Sequence, residues 1–170
     1  AVVEALQRHL PGLPVVMPQT NLVEEIRQSK PVPCLRLISV ESPRGALAYH
    51  WRGGSRDVDS IVDLALLTFD YGGKIVDATA KPQQLRQVDG NRIIVWTRDI
   101  KAEQAASRSL ADLGLVESSE IPTGTPRPGG RGLTFPDGGA AWLDFVHHDV
   151  PTLHAGGWRV EIDPSFRYRV

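Results

Sequence analysis

Twice in this sequence a run with helical spacing ends at glycine and passes directly into an extended segment. The two stretches are Leu110-Ala111-Asp112-Leu113-Gly114-Leu115 and Leu153-His154-Ala155-Gly156-Gly157-Trp158. A glycine just past the last periodic residue takes the left-handed backbone that closes a helix, so each stretch marks a helix end delivered to a sheet. The match is too short to argue duplication. It does require an architecture in which two helices pack on one face of a sheet. The spacing predicts the first helix from Ile100 to Leu113, with Asp99 as its cap and Glu103 in an acidic first turn. Its buried face is expected to be Ala102, Ala105, Ala106, Leu110 and Leu113, and Gly114 its terminator. The second helix is expected over about 139–155, bent at Pro151, and followed by a strand from Trp158 to Ile162.

The first hundred residues read differently. Ala1 to Leu10 carries Val3, Leu6 and Leu10 at helical spacing and is stopped by Pro11-Gly12. Leu13 to Pro33 holds Pro14, Pro18, Pro31 and Pro33 and is expected to be mostly extended, with a helical turn at Val23 to Arg27. Cys34 to Val40 reads as a strand, with Ser42-Pro43-Arg44-Gly45 turning it into Ala46 to Trp51 as a hairpin. Arg52 to Asp59 is a polar loop. Ile61 to Tyr71 ends in a strand, Gly72-Gly73 turns it, and Lys74 to Ala78 returns antiparallel. Val88-Asp89-Gly90-Asn91 makes another turn before the strand Arg92 to Thr97. The expected fold is α/β of the α+β kind, a largely antiparallel sheet with two principal helices packed on it. Residues 1–116 form its sheet-rich part with one helix, 117–138 a Gly/Pro-rich loop or linker, and 139–170 a helix–strand unit completing the same domain.

A hydrophobic fraction of 41% and a charged fraction of 23% suit a globular chain. The net charge of −1 supplies no global field toward nucleic acid or anionic lipid. The single cysteine, Cys34, excludes an intramolecular disulfide and a thiolate zinc site, and reads as a small buried hydrophobe. No apolar run approaches the roughly 20 residues of a membrane span, so the expected compartment is cytoplasmic. The sequence opens at Ala1 in a helical pattern and stops at Phe166-Arg167-Tyr168-Arg169-Val170 in an extended one, as expected of a piece of a larger protein.

Catalytic patterns are weak. Gly124-Thr125-Pro126-Arg127-Pro128-Gly129-Gly130-Arg131-Gly132 lacks the lysine of a phosphate loop, and its prolines remove amides a phosphate would use. Gly72-Gly73-Lys74 reads as a hairpin turn. His147 and His148 point about 100° apart on a helix, and His147 and His154 are separated by about 10.5 Å along its axis. Together with Asp149 they read as a solvated polar face rather than a metal site. No Gly-x-Ser-x-Gly elbow occurs, Gly53-Gly54-Ser55-Arg56-Asp57 having the wrong spacing. Asp59/Asp63 and Asp144/Asp149 read as charged helix faces. Four arginines are the candidate nucleic-acid contacts: Arg127 and Arg131 in the loop, and Arg167 and Arg169 alternating with Phe166 and Tyr168 on a strand. Trp51, Trp96, Trp142 and Trp158 lie in apolar company, suited to a core or a partner-facing surface.

Several phrases, in order, carry a family resemblance. They are Pro31-Val32-Pro33-Cys34-Leu35-Arg36-Leu37, then Leu64-Ala65-Leu66-Leu67-Thr68-Phe69-Asp70-Tyr71-Gly72-Gly73, then Arg98-Asp99-Ile100-Lys101-Ala102-Glu103 leading to Leu110 and Gly114. Trp142-Leu143-Asp144-Phe145-Val146, Val150-Pro151-Thr152-Leu153 and Gly157-Trp158-Arg159-Val160-Glu161-Ile162-Asp163 follow, ending at Phe166. In this order they resemble the SNF2-helicase-associated domain, the region N-terminal to the motor of bacterial SNF2-type (SWI2/SNF2) helicases. The resemblance covers most of the chain from Pro31 onward. It implies a parent that is a DNA-dependent ATPase, whose motor binds ATP and Mg beyond Val170, and it assigns no catalytic residue and no cofactor here. The partners it implies are the parent's own motor and DNA bound weakly without sequence preference. An independent protein–protein interaction module and a metal-dependent hydrolase built on His147, His148 and His154 are the alternatives.

Overall fold

Ile61–Tyr71 (β3) is nearly continuous in apolar residues, and such a run belongs to a strand covered on both faces. The structure, a computed structural model, describes residues 21–41, 61–118 and 132–169. Within them β3 pairs antiparallel with Val32–Glu41 (β2) along ten residues, from Val32 opposite Asp70 to Glu41 opposite Ile61. Gly72 and Gly73 adopt φ of 65° and 104°, the left-handed backbone of a tight turn, and return the chain as Lys74–Asp77 (β4) against the end of β3. The expected Ala46–Trp51 hairpin arm, the Arg52–Asp59 loop and the Ala1–Leu10 helix lie outside the described residues.

Two sheets form rather than one meander. Gln84–Asp89 (β5) and Arg92–Thr97 (β6) make an antiparallel hairpin, and Val23–Arg27 (β1) joins β6 in parallel, giving the order β1-β6-β5. The expected helical turn at Val23–Arg27 is therefore a strand. Its β-branched Val23 and Ile26 suit a pleated surface, and β6 offers a long ladder. The second sheet runs β7-β8-β3-β2-β9 with β4 on β3. Here β7 is Val116–Glu117, β8 Leu133–Thr134 and β9 Arg159–Ile162, the last parallel to β2. Antiparallel pairs dominate and two are parallel, within a mixed α+β fold that carries two principal helices. Within the 117–138 segment, residues 133–134 are sheet and Phe135 is core.

The helix α1, Ile100–Asp112, begins where the Asp99 side chain accepts the Ala102 N–H at 3.0 Å. It ends in paired closing bonds, Gly114 N–H to Ala111 O and Leu115 N–H to Leu110 O. Its buried residues are Glu103, Ala106 and Leu110, while Ala105 is exposed. The second helix starts as Gly139–Asp144 (α2), widens into a π-helical turn over Phe145–Asp149, and resumes as Val150–Ala155 (α3). Pro151 has no N–H and its ring would strike the carbonyl of His147, four residues back. The helix answers with one wide turn just before it, Val150 N–H bonding Phe145 O five residues back. It closes as α1 does, with Gly157 at φ 87° and Trp158 N–H bonded to Leu153 O.

One face of β2 and β3 presents Leu35, Leu37, Ala65, Leu67, Phe69 and Tyr71 to the main core, which also takes Ile94 and Trp96 from β6, Leu110 from α1 and Leu153 from α3. Phe135, Trp142, Phe145 and Phe166 meet edge to face there, with ring centroids 4.8–6.0 Å apart. Residues on both sides of the 117–138 segment share this core. On the opposite face Ile38, Leu64 and Leu66 form a second buried cluster. Gly132 packs there so closely that a side chain would begin 3.1 Å from Leu64.

Candidate functional site

Buried charges sit at both ends of the main core, and one more, Asp70, lies on the other face of the larger sheet. At one end β3 finishes in Tyr71, β6 runs on into Arg98, and the first turn of α1 supplies Glu103. Arg98 donates Nε to Glu103 Oε1 at 2.9 Å and Nη2 to Oε2 at 2.6 Å, a two-pronged pair between buried side chains. Tyr71 donates its hydroxyl to Glu103 Oε1 at 2.6 Å and accepts the Asp99 N–H at 2.8 Å. Arg98 Nη1 reaches the carbonyls of Ala80 and, at 3.0 Å, Pro82. Burial, then the Glu103 carboxylate, drive the Tyr71 phenol far above its ordinary range, so it stays protonated at any physiological pH. Such a group neither takes nor gives a proton. The cluster ties β3, the 80–82 turn, β6 and α1 together. Sequence reading put Glu103 in an acidic first turn and named no partner for it. The signal that could have found it is Tyr71, whose buried hydroxyl needs a partner.

An open groove of about 550 Å³ lies beside this cluster, lined by Gln28, Ser29, Lys30, Gln83 and Lys101 among others. A second, of about 430 Å³, lies between β4, α1 and β7 and has a mostly aliphatic wall that includes Leu67, Ala111, Leu115 and Leu133.

At the other end of the core Asp63, buried on β3, accepts Arg167 Nε at 3.1 Å and Nη2 at 2.5 Å, and the Ser39 hydroxyl at 2.5 Å. Arg167 N–H in turn bonds Ser39 Oγ at 3.0 Å. This corrects two expectations. Asp63 is not on a charged helix face, and residues 166–169 are irregular with a turn at 167–168, not a strand. Phe166 enters the core, Tyr168 meets it edge to face at 5.7 Å, and Arg167 lies 5.6 Å over the Tyr168 ring while its guanidinium holds Asp63. Arg167 and Arg169 therefore share no basic face. Arg169 is exposed, and Arg127 and Arg131 lie outside the described residues.

Two further pairs sit on the other face of the larger sheet. Arg159 of β9 pairs with Asp70, whose Oδ1 also accepts the Gly73 N–H at 2.6 Å and so fixes the β3–β4 turn. Arg36 of β2 pairs with Asp163, whose carboxylate accepts the Ser165 N–H at 2.9 Å. The Ser165 bonds first, and Arg36 after them, hold the Asp163 carboxyl down to about 2. Cys34 is half-buried between these pairs, and burial raises its thiol above the ordinary range.

His147, His148 and His154 are all exposed on the second helix. His148 Nε2 lies 3.5 Å from Asp144 Oδ1 one turn back, and the His147 and His148 rings are 6.4 Å apart. Asp149 is half-buried, and burial followed by the charge of Asp144 raises its carboxyl. Among the described residues no three His, Cys, Asp or Glu side chains gather as a metal would require. Of the tryptophans, Trp96 and Trp142 are buried, Trp158 is packed against the core, and Trp51 lies outside the described residues. No helix of the described residues is long and apolar enough to cross a membrane.

Comparison with protein-family models, with curated proteins and with solved structures finds no match to this chain.

Proposed function

We propose that this chain is a non-catalytic accessory domain of a bacterial SNF2-type ATPase, placed beside the motor to aid or restrain its engagement of DNA or a partner. One observation carries the reading: the phrases that resemble the SNF2-helicase-associated domain are the residues on which the fold closes. Arg98 and Glu103 make the buried pair at the start of α1. Leu64 to Gly73 is the central strand and its turn, and Asp70 in it is locked by Arg159 from the phrase around Gly157. Trp142 and Phe145 are core, and Gly114 and Gly157 close the two helices. Residues used in this way form a scaffold and place no reactive group in a cleft. ATP and Mg belong to the parent's motor, and weak, sequence-insensitive DNA contact belongs to the arginines outside the buried pairs.

The test is biochemical. The purified chain is expected neither to bind nor to hydrolyse ATP, and adding it in trans to a motor lacking it is expected to change that motor's DNA-stimulated ATPase. Turnover by the chain alone defeats the proposal. The second reading, an independent interaction module, draws on Ile26 and Val88, large aliphatic side chains left exposed on the three-stranded sheet. It predicts a reading frame without a Gly-x-Gly-Lys-Thr-type loop downstream and no effect on any motor. The hydrolase alternative gains nothing from histidines that do not converge.

A further inference from the structure

We propose that the four lysines of this chain gather at one end of the core to hold a phosphodiester backbone, laid along the groove between Lys30 and Lys101. The lysines are Lys30, Lys74, Lys81 and Lys101. They are far apart in sequence, yet the buried Tyr71–Arg98–Glu103 cluster draws all four segments to itself. Lys101 is the second residue of α1, one turn or less from Glu103. Lys81 stands in the turn whose Ala80 and Pro82 carbonyls Arg98 holds. Lys74 is opposite Tyr71 in the β3–β4 ladder and so leaves the sheet on the Tyr71 side. Lys30 follows β1, and its neighbour Ser29 lies against the β3–β4 turn, with Oγ 3.9 Å from where a side chain on Gly72 would begin. Lys30, Lys81 and Lys101 are exposed and Lys74 is half-buried.

Their charge is uncommitted. Six arginines are paired with carboxylates of the fold, whereas no lysine makes an ion pair within the described residues. The acids beside them are already engaged. Asp99 accepts the Ala102 N–H at 3.0 Å, Asp77 accepts the Thr79 N–H at 2.7 Å and its hydroxyl at 2.8 Å, and Glu103 faces Arg98. Between Lys30 and Lys101 the groove of about 550 Å³ is walled by Gln28, Ser29, Gln83 and Thr97, neutral side chains able to donate to phosphate oxygens. Arg98 also lines it but is spent on Glu103. Among the described lining residues Asp99 is the one carboxylate and half-buried Ile100 the one apolar side chain. An acidic peptide docks through buried aromatic or aliphatic anchors, and this lining offers no pocket for one. No aromatic ring is among these residues, so bases have nothing to stack on and contact is with the backbone alone. Lysine ammonium groups are point charges that meet a phosphate in any orientation, as sequence-blind contact requires. The choice of DNA among phosphodiester chains rests on the function proposed above; the choice of a phosphodiester rests on the lining.

The experiment is a salt titration of fluorescent duplex DNA from about 50 mM upward, comparing the wild type with two variants of equal net charge. Lys30→Gln with Lys101→Gln removes two positive charges from the groove. Ala140→Glu with Leu143→Glu adds two negative charges at exposed positions on α2, beside Phe166 and Tyr168 at the other end of the core. All four positions are exposed, so circular dichroism is expected to be unchanged. The lysine variant is expected to lose roughly tenfold or more in affinity near 50 mM salt, and about two units of the slope of log K against log salt. The α2 variant is expected to keep the slope. A fluorescent oligo-glutamate is expected to bind more weakly than DNA, whose denser charge releases more counterions. Absence of binding by the wild type at about 50 mM salt, a slope that ignores the lysines, an equal loss in both variants, or oligo-glutamate bound as tightly as DNA would each overturn the proposal. The motor assay on the same proteins separates this inference from the reading it rests on. A wild type that alters a motor's ATPase while its DNA binding ignores the lysines keeps that reading and sinks this inference. Lysine-dependent DNA binding by a chain that alters no motor does the reverse.

Discussion

Glu103 is the residue on which the first turn of α1 depends. Its carboxylate answers a guanidinium and a phenol that are both out of water, so removing it strands Arg98. Glu103→Ala is expected to cost about 3–5 kcal/mol, as for a buried charge deprived of its partner. Tyr71→Phe should cost about 1–3 kcal/mol, because the Asp99 N–H and one Glu103 oxygen each lose a bond. Urea unfolding followed by fluorescence measures both as a fall in midpoint, and an unchanged slope shows that the denatured state is not the cause. Loss of less than half these amounts for Glu103→Ala would mean that water reaches Arg98. Asp163 behaves differently because its charge is favoured by folding. Its folded pKa of about 2 lies below the ordinary 3.8, so its contribution is complete above pH 4 and is lost as pH falls toward 2. Asp163→Asn should flatten the acid side of the stability profile in that window and leave its shape above pH 5 unchanged, as read from urea midpoints between pH 2 and 7.

Both helices are closed by the same geometry, and that part of the fold was legible. Asp99, Gly114 and Gly157 announce local hydrogen bonds, and local bonds depend only on neighbours in sequence. Gly157 takes a φ of 87° with no atom within 4 Å of where a side chain would begin, so Gly157→Ala tests backbone strain alone. It is expected to cost about 1 kcal/mol by thermal melting, while an alanine at exposed Ala105's neighbour Gln104 should leave the melt within about 0.5 kcal/mol of wild type. The β3–β4 hairpin was legible for the same reason, since Gly72-Gly73 turns one strand into the other, and so was β6 after the turn at Gly90; β5, Gln84–Asp89, was not, its last two residues having been read as turn. What was not legible is non-local. Val23–Arg27 becomes a strand only because β6 lies alongside it, nearly seventy residues later, and no short-range pattern reports a parallel ladder. The π turn follows from Pro151 acting on a carbonyl four residues back, a conflict with two solutions, a kink or a wider turn. Arg167 was misplaced because alternation with Phe166 and Tyr168 imitates a strand, whereas the buried carboxylate of Asp63 a hundred residues away sets its direction.

At the scale of the whole molecule, the question is where a polyanion could still find positive charge. The net charge is −1, and among the described residues six arginines, at 27, 36, 92, 98, 159 and 167, are paired with carboxylates of the fold. Arg167 therefore leaves the candidate phosphate contacts, and Arg127, Arg131 and exposed Arg169 remain with the lysines of the groove. Few contacts and no global basic field mean that any DNA binding is weak, blind to sequence and lowered by salt in proportion to those contacts, because affinity then comes from counterions released at each neutralised phosphate. Replacing Arg127 and Arg131 together with alanine should lower affinity and reduce the slope of log K against log salt by about one unit per lost contact. Arg167→Ala should act on the other axis. It uncovers Asp63, so it should lower the unfolding midpoint by an amount equivalent to about 1–3 kcal/mol while leaving the salt slope where it was. A salt titration of fluorescent duplex DNA, run beside urea melts of the same three proteins, separates the two axes. A salt slope that falls with Arg167→Ala and holds with the double variant would reverse the assignment. No binding at about 50 mM salt, where the electrostatic term is large, would take DNA out of the proposed role and leave the proposed parent motor as the partner to test.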